Sequence, residues 1–339
     1  MTSQPARARV TLTDISSRAW EHPADRGALV AMRKLRGFDT VLKAISGLIN
    51  ERKARLDFLG SGIRVDERQF AGVHRLLAEV GRVLDAPELP EVFVVNDPFT
   101  HAMTVGMDKP VIVLHSSLLD LLDEEEMRFL LAHELGHALS GHAVYRTLLL
   151  RLMDLTGVWS SIPGGAIGLR VIIAALYEWS RKSELSADRA GLLATQDPAT
   201  AFRVHMKLAS GSGDLSELDQ TSFFAQGQEY LGSTDLRDSV LKLTLVERAT
   251  HPYAVVRAAE LRNWVDSGEY TQVLSGTYPR RAEDANAKVS EAAKQAAAEY
   301  TESFKKTQDA LGTLVHDVAG FLGSAKLWLD DQIRRTRSE

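Results

Sequence analysis

The sequence predicts an α+β fold that is predominantly α-helical, with one small antiparallel sheet. Two observations carry this. Apolar residues recur at helical spacing over most of the 339 residues, and between residues 92 and 114 the period shortens to three β-type runs. A third observation places the chemistry. Directly after those runs, a helical segment carries His133-Glu134-Leu135-Gly136-His137.

The elements follow in order. Leu29, Met32, Leu35, Phe38, Leu42, Ile45, Ile49 and Leu56 mark an amphipathic helix, or a helical pair broken near Gly37. Asp66 is expected to cap a helix running to about Leu84, before Pro87 and Pro90 interrupt the chain. Val92–Val95, Ala102–Val105 and Val111–Leu114 read as the antiparallel strands. Asp123 opens the next helix, with Glu124, Glu125 and Glu126 suited to its positive N-terminal end. Leu155 to Leu169 is uncharged but holds Pro163 and four glycines, and Arg170 follows. It is too short for a membrane span of roughly twenty residues, so a buried helical hairpin is expected, with a peripheral membrane contact left open. Ser210 to about Asp238 reads as a polar, flexible insert. Past Pro279 an Ala, Lys, Glu and Gln-rich composition indicates a long helix with an apolar stripe from Leu311 to Leu329. That stripe packs on the body, covers the cleft or docks on a membrane surface. Three regions result: an N-terminal helical region over 1–90 packing on a core over 91–278, and a C-terminal amphipathic helical extension over 279–339.

Composition limits the chemistry. The chain has no cysteine, which excludes disulfides, thiolate metal sites, iron–sulfur clusters and a cysteine nucleophile. A metal must therefore be held by histidine and carboxylate. A net charge of −5 gives no general attraction for nucleic acid, and no nucleic-acid partner is expected. Met1 to Val10 is not followed by an apolar run, so a cytoplasmic location is expected.

His133 and His137 are one helical turn apart, so both imidazoles can reach one cation. Glu134 stands beside them, where a carboxylate can take a proton from a water that zinc acidifies to a pKa of about 7. A third ligand is needed. His142 is five residues beyond His137 and, on a continuous helix, faces elsewhere; it reads as a surface histidine at the helix end. Glu184 and Asp188 are i and i+4 on a second predicted helix, so one can ligate while the other hydrogen-bonds a ligating histidine.

With these motifs in hand, the segment from about Val92 to Leu261 resembles the HtpX-like and CAAX prenyl protease family of zinc metallopeptidases, which are gluzincins. The resemblance rests on Ser117 to Glu126 as a lead-in, Leu131 to His137, Glu184 to Gly191, and Thr250-His251-Pro252 with Arg257. It implies a zincin-like fold binding one zinc ion per chain through His133, His137 and Glu184. It further implies Glu134 as general base, Asp188 behind a ligand, and His251 near the cleft as a donor to the oxyanion or as a turn residue. Arg257 would tie helices together by an ion pair. The implied activity is endopeptidase cleavage of peptides or unfolded proteins, with a role in protein quality control. His101-Ala102 replaces the Asn-Ala frequent in the family's strand before the zinc helix, which bears on substrate preference. The alternative is a non-catalytic zinc-binding or chaperone-like protein on the same fold.

Overall fold

The computed structural model describes residues 8–34, 51–154, 165–232 and 253–298. His251, the apolar stripe from Leu311 to Leu329 and residues 155–164 of the uncharged stretch lie outside them.

The helices and strands run α1 (Pro23–Lys34), α2 (Glu51–Ser61), β1 (Gly62–Arg64), α3 (Ala71–Val83), β2 (Glu91–Val95), β3 (Ala102–Val105), β4 (Val111–His115), α4 (Ser117–Leu121), α5 (Glu124–Leu139), α6 (His142–Asp154), α7 (Gly165–Thr195), α8 (Pro198–Ser210), α9 (Gln220–Gly232), α10 (Ala254–Asp266) and α11 (Glu269–Leu274). The architecture is helical with one small sheet, as the sequence predicts.

The sheet is mixed rather than antiparallel. Its order is β1-β2-β4-β3, and β2 runs parallel to β4 while the two outer pairings are antiparallel. After β2 the chain crosses to lay down β3 at the far edge, and the turn from Gly106 to Pro110 returns β4 into the gap. That turn needs glycine: Gly106 has φ +134° and no room for a Cβ against Lys109. β1 pairs with β2, so the sheet straddles residue 90. Asp66 caps no helix. Its Oδ1 accepts from the Arg68 and Gln69 amides in a local turn, and α3 begins at Ala71. The polar stretch after Ser210 contains α9 and is thus partly ordered as helix.

α5 is the central element. A capping box starts it: Asp123 Oδ1 accepts from the Glu126 amide and Glu126 Oε2 accepts from the Asp123 amide, each at 2.9 Å. Every residue from Glu126 to His137 is buried, so this helix has no solvent face. On one side Leu130, Leu131 and Met127 join Leu76, Val92, Ile112 and Leu114 beneath the sheet. On the other, Phe129, Ala132 and Leu135 join Leu193, Leu261 and Trp264. α5 and α7 pack closely at small residues; a Cβ on Gly136 would lie 2.6 Å from the Ala190 Cβ. That contact sets the distance between the His133–His137 pair and Glu184.

The N-terminal segment joins the same core through Leu12, Ile15 and Trp20. α1 packs on α7, and Gly27 allows the helical residues 291–298 to cross it closely, with Ala296 in the space of a Cβ. Gly136→Leu should force α5 and α7 apart. A thermal midpoint lowered by an overpacking cost of about 1–3 kcal/mol is expected in calorimetry, and wild-type stability would show that the helices can separate freely.

Candidate metal centre

Three donors from two helices converge. His133 and His137 project from α5 toward α7, where Glu184 meets them; all three are buried. The Nε2 atoms of the histidines are 3.2 Å apart. Glu184 Oε2 is 3.3 Å from His133 Nε2, and Oε1 is 3.3 Å from His137 Nε2. Tetrahedral coordination at roughly 2.0–2.1 Å separates neighbouring donors by roughly 3.3–3.4 Å. The spacing and the two-nitrogen, one-carboxylate chemistry therefore fit a small divalent cation.

Each histidine is held from behind. Asp188, one turn beyond Glu184 on α7, has Oδ1 3.0 Å from His133 Nδ1. Arg257 of α10 donates to both oxygens of Asp188, through Nε at 2.8 Å and Nη2 at 2.6 Å. This fork ties α10 to α7 and keeps Asp188 ionised, well below the usual carboxylate range despite its burial. Arg257 also places Nη1 3.3 Å from Glu184 Oε2, while Arg146 of α6 reaches Glu184 Oε1 at 3.4 Å.

The placement of His142 corrects the surface assignment. It is buried, with Nδ1 2.9 Å from His137 Nδ1 and Nε2 3.0 Å from Asp25 Oδ2. α5 ends at Leu139, and Gly141 in the left-handed region (φ +72°) turns the chain before α6 starts. Helical rotation counted from His137 therefore does not carry across to His142.

Glu134 is also buried, and its Oε1 lies 3.9 Å from His133 Nε2. Its other oxygen is anchored by Thr104 of β3, whose hydroxyl lies 2.6 Å from Oε2 and 2.9 Å from the Glu134 carbonyl oxygen. One hydroxyl proton serves one acceptor at a time, and the shorter contact to the carboxylate leaves Oε1 facing the metal donors. Thr104 and Asp25 have no sequence signal tying them to this site. Their contacts span 30 and more than 100 residues. His205 of α8 is a further buried neighbour, 3.6 Å from Asp188 Oδ2, which is too long for a hydrogen bond. Burial lowers it to about 4, so it is neutral at physiological pH.

The centre borders a cleft of about 710 Å3 lined in part by His133, Glu134, Glu184 and Arg257. The chain entering β3, at Thr100, His101 and Ala102, lines it, as do Tyr230 and Tyr253. β3 is an edge strand of the sheet. Burial lowers His101 to about 4 and keeps it neutral.

A carboxylate held next to a cation-binding triad, at the base of an open cleft, is the arrangement of a metal-dependent hydrolase. The family follows from comparison: residues 67–265 match Peptidase family M48, and the chain belongs to that family. It is therefore a metalloprotease, acting on peptide or protein substrates. It is 32% identical to the plastoglobule-localized metallopeptidase 48 of Arabidopsis thaliana chloroplasts over 265 residues, 77% of this chain and 76% of that protein. It is 27% identical to a protease HtpX homolog of Bacillus velezensis over 204 residues, covering 52% of this chain and 64% of the relative. With the human mitochondrial metalloendopeptidase OMA1 it shares 31% identity over 116 residues, 30% of this chain and 22% of that one. No solved structure matches. The chloroplast location belongs to the Arabidopsis relative, and it lends no support to the cytoplasm expected for this chain. Among the described residues no helix is long and apolar enough to cross a membrane.

The two imidazoles differ in their hold on protons. Burial lowers both, yet hydrogen bonds to Asp188 and Glu184 raise His133 to about 9, whereas Arg146 adds to burial in pushing His137 well below its ordinary value. A cation needs the lone pair on His133 Nε2, so below pH 9 its binding displaces a proton. Affinity for a divalent metal should therefore rise between pH 6 and pH 9, by about tenfold per pH unit for one displaced proton. Chelator competition at several pH values checks this, and a flat profile would count against it.

Proposed function

We propose that the protein is a zinc-dependent endopeptidase in which His133, His137 and Glu184 hold one zinc ion and Glu134 is the general base. The observation that carries the reading is the Glu134 carboxylate, with one oxygen tied to Thr104 and the other turned toward the metal donors. A bound zinc ion supplies a Lewis acid that polarises the scissile carbonyl and acidifies the attacking water. Glu134 takes the water's proton at Oε1 and delivers it to the leaving amine. Thr104 keeps the base from rotating, and Asp188 fixes the His133 ring so that Nε2 faces the ion.

The substrate is proposed to be an extended segment of a peptide or unfolded protein, laid along the edge of β3 with main-chain hydrogen bonds. Such a mode selects backbone conformation over sequence and suits a role in protein quality control. His101 stands where side chains of that segment would pass. His251 is proposed to donate to the oxyanion from the chain preceding α10. A non-catalytic metal-binding module has no use for a carboxylate aimed into an open cleft, which favours turnover over the chaperone-like alternative.

Glu134→Gln keeps the shape and the Thr104 contact but cannot accept the proton. It should bind zinc with wild-type stoichiometry and lose about 10²–10⁴-fold in cleavage rate of an unfolded protein substrate. Full activity in that variant would sink the assignment. Thr104→Val should lower kcat by a smaller factor with KM little changed, because the base loses its orientation while the cleft wall remains.

A further inference from the structure

The chain supplies an unassigned support for its metal centre from far upstream. We propose that His142 and Asp25 form a relay of positioning residues that fixes the His137 imidazole in its metal-binding tautomer, and that the N-terminal helix α1 is thereby a working part of the centre. The inference rests on the zinc reading above.

The number of protons in the row fixes its polarity. His137 Nδ1 and His142 Nδ1 are 2.9 Å apart, so one must donate and the other accept. His137 directs Nε2 toward His133 and Glu184. An imidazole that binds a cation through Nε2 carries its proton on Nδ1, so His137 is the donor. His142 must then accept at Nδ1 and hold its own proton on Nε2. That nitrogen lies 3.0 Å from Asp25 Oδ2, a carboxylate oxygen that can only accept. The Ser186 hydroxyl donates to the same oxygen at 2.6 Å, and the His22 amide donates to Ser186 Oγ at 2.9 Å. Every proton in the row has one place to go.

The reverse polarity fails at both ends. If His142 donated to His137, the His137 proton would sit on Nε2 and block the cation, and a neutral His142 donating there would also face the Asp25 carboxylate lone pair to lone pair. The carboxylate thus sets the tautomer of His142, and His142 sets that of His137. Burial alone would raise the Asp25 carboxyl, but His142 and Ser186 beside it bring it below its ordinary value, so it stays the acceptor the row requires. The rings are also held mechanically: His142 packs edge-on between His137 and Trp179, with centroids 5.1 and 5.6 Å away.

The two sides of the centre are therefore built from different materials. His133 leans on Asp188 of α7, the helix that also supplies Glu184, while His137 leans through His142 on residue 25. The segment matching the peptidase family begins at residue 67, so Asp25 lies outside it. Loss or displacement of α1 would leave the ligands in place and weaken the hold on the metal.

The test is zinc affinity of the full chain by competition with a chromophoric chelator, together with thermal midpoints with and without zinc. His142→Phe keeps the packing and removes the acceptor; it should weaken zinc binding about 10–100-fold, the usual effect of losing a support behind a metal ligand. His142→Gln, whose amide oxygen can accept from His137 Nδ1, should recover part of that loss. Asp25→Asn is the near-isosteric variant that tests the relay should the Phe variant not fold, and it too should weaken binding. In each weakened variant the rise in midpoint on adding zinc should shrink. Wild-type zinc affinity in Asp25→Asn and His142→Phe would overturn the relay while leaving the metal centre intact. A lowered metal-free midpoint with an unchanged zinc-induced rise would show a merely structural role and also overturn it. A wild-type chain that binds no zinc would overturn the centre itself, and the relay with it.

Discussion

Burial of ionisable groups on α5 is the constraint on which the rest of the structure depends. A helix covered on every side is ordinarily apolar, but this one carries Glu126, Arg128, His133, Glu134 and His137 inward. Each such group costs several kcal/mol unless it is partnered. The neighbouring elements are accordingly arranged around the partners they supply. α8 brings Lys207 Nζ to Glu126 at 2.7 Å, α3 brings Glu79 to Arg128, β3 brings Thr104 to Glu134, and α7 brings Asp188 to His133. Removing one partner strands a buried charge, which explains why so many elements meet one helix.

The same constraint decides the electrostatics of the cleft. Glu134, Glu184 and Asp188 face Arg146 and Arg257 in one buried volume, three carboxylates against two guanidiniums. Once His133 gives up its proton, the surplus negative charge favours a cation between the donors. The guanidiniums also set positive charge beside Glu184 where it is taken out of water. Arg257 does this for both carboxylates of α7 at once, from a helix more than sixty residues later in the chain. A lysine there could not form the two-pronged contact that holds Asp188 in one orientation.

What was legible in the sequence is what local geometry encodes. The i,i+4 pairs His133–His137 and Glu184–Asp188, the cap at Asp123 and the three β-type runs all depend on spacings within one element, and the structure places them accordingly. The parallel pairing of β2 with β4 was hidden, because alternation marks strands but not the order in which they join. The length of α3 was overestimated because Asp66 serves a turn as readily as a helix cap. His142 was misplaced for a different reason: a left-handed glycine between two helices resets the angular count, and the residue that arithmetic sends to the surface returns beneath the metal site. Thr104 and Asp25 carry no local signature, since their roles are created only when distant segments pack.

In the proposed mechanism β3 joins substrate alignment to base alignment. Its first residue, Ala102, lines the cleft, while the side chain of Thr104 reaches inward to Glu134. A one-residue slip against β4 would exchange the faces of every side chain on the strand. The base would lose its anchor and the cleft wall would change in the same event. Pairing of Ala102 with Leu114 through Val105 with Val111 therefore does more than complete a small sheet. On the proposed reading it sets a peptide edge and a proton acceptor in one register, so that a segment docked on the strand would arrive in line with the Glu134 carboxylate. This coupling explains why a four-residue strand suffices: the precision comes from the helix beneath it, to which Thr104 is bound, and not from the length of the ladder.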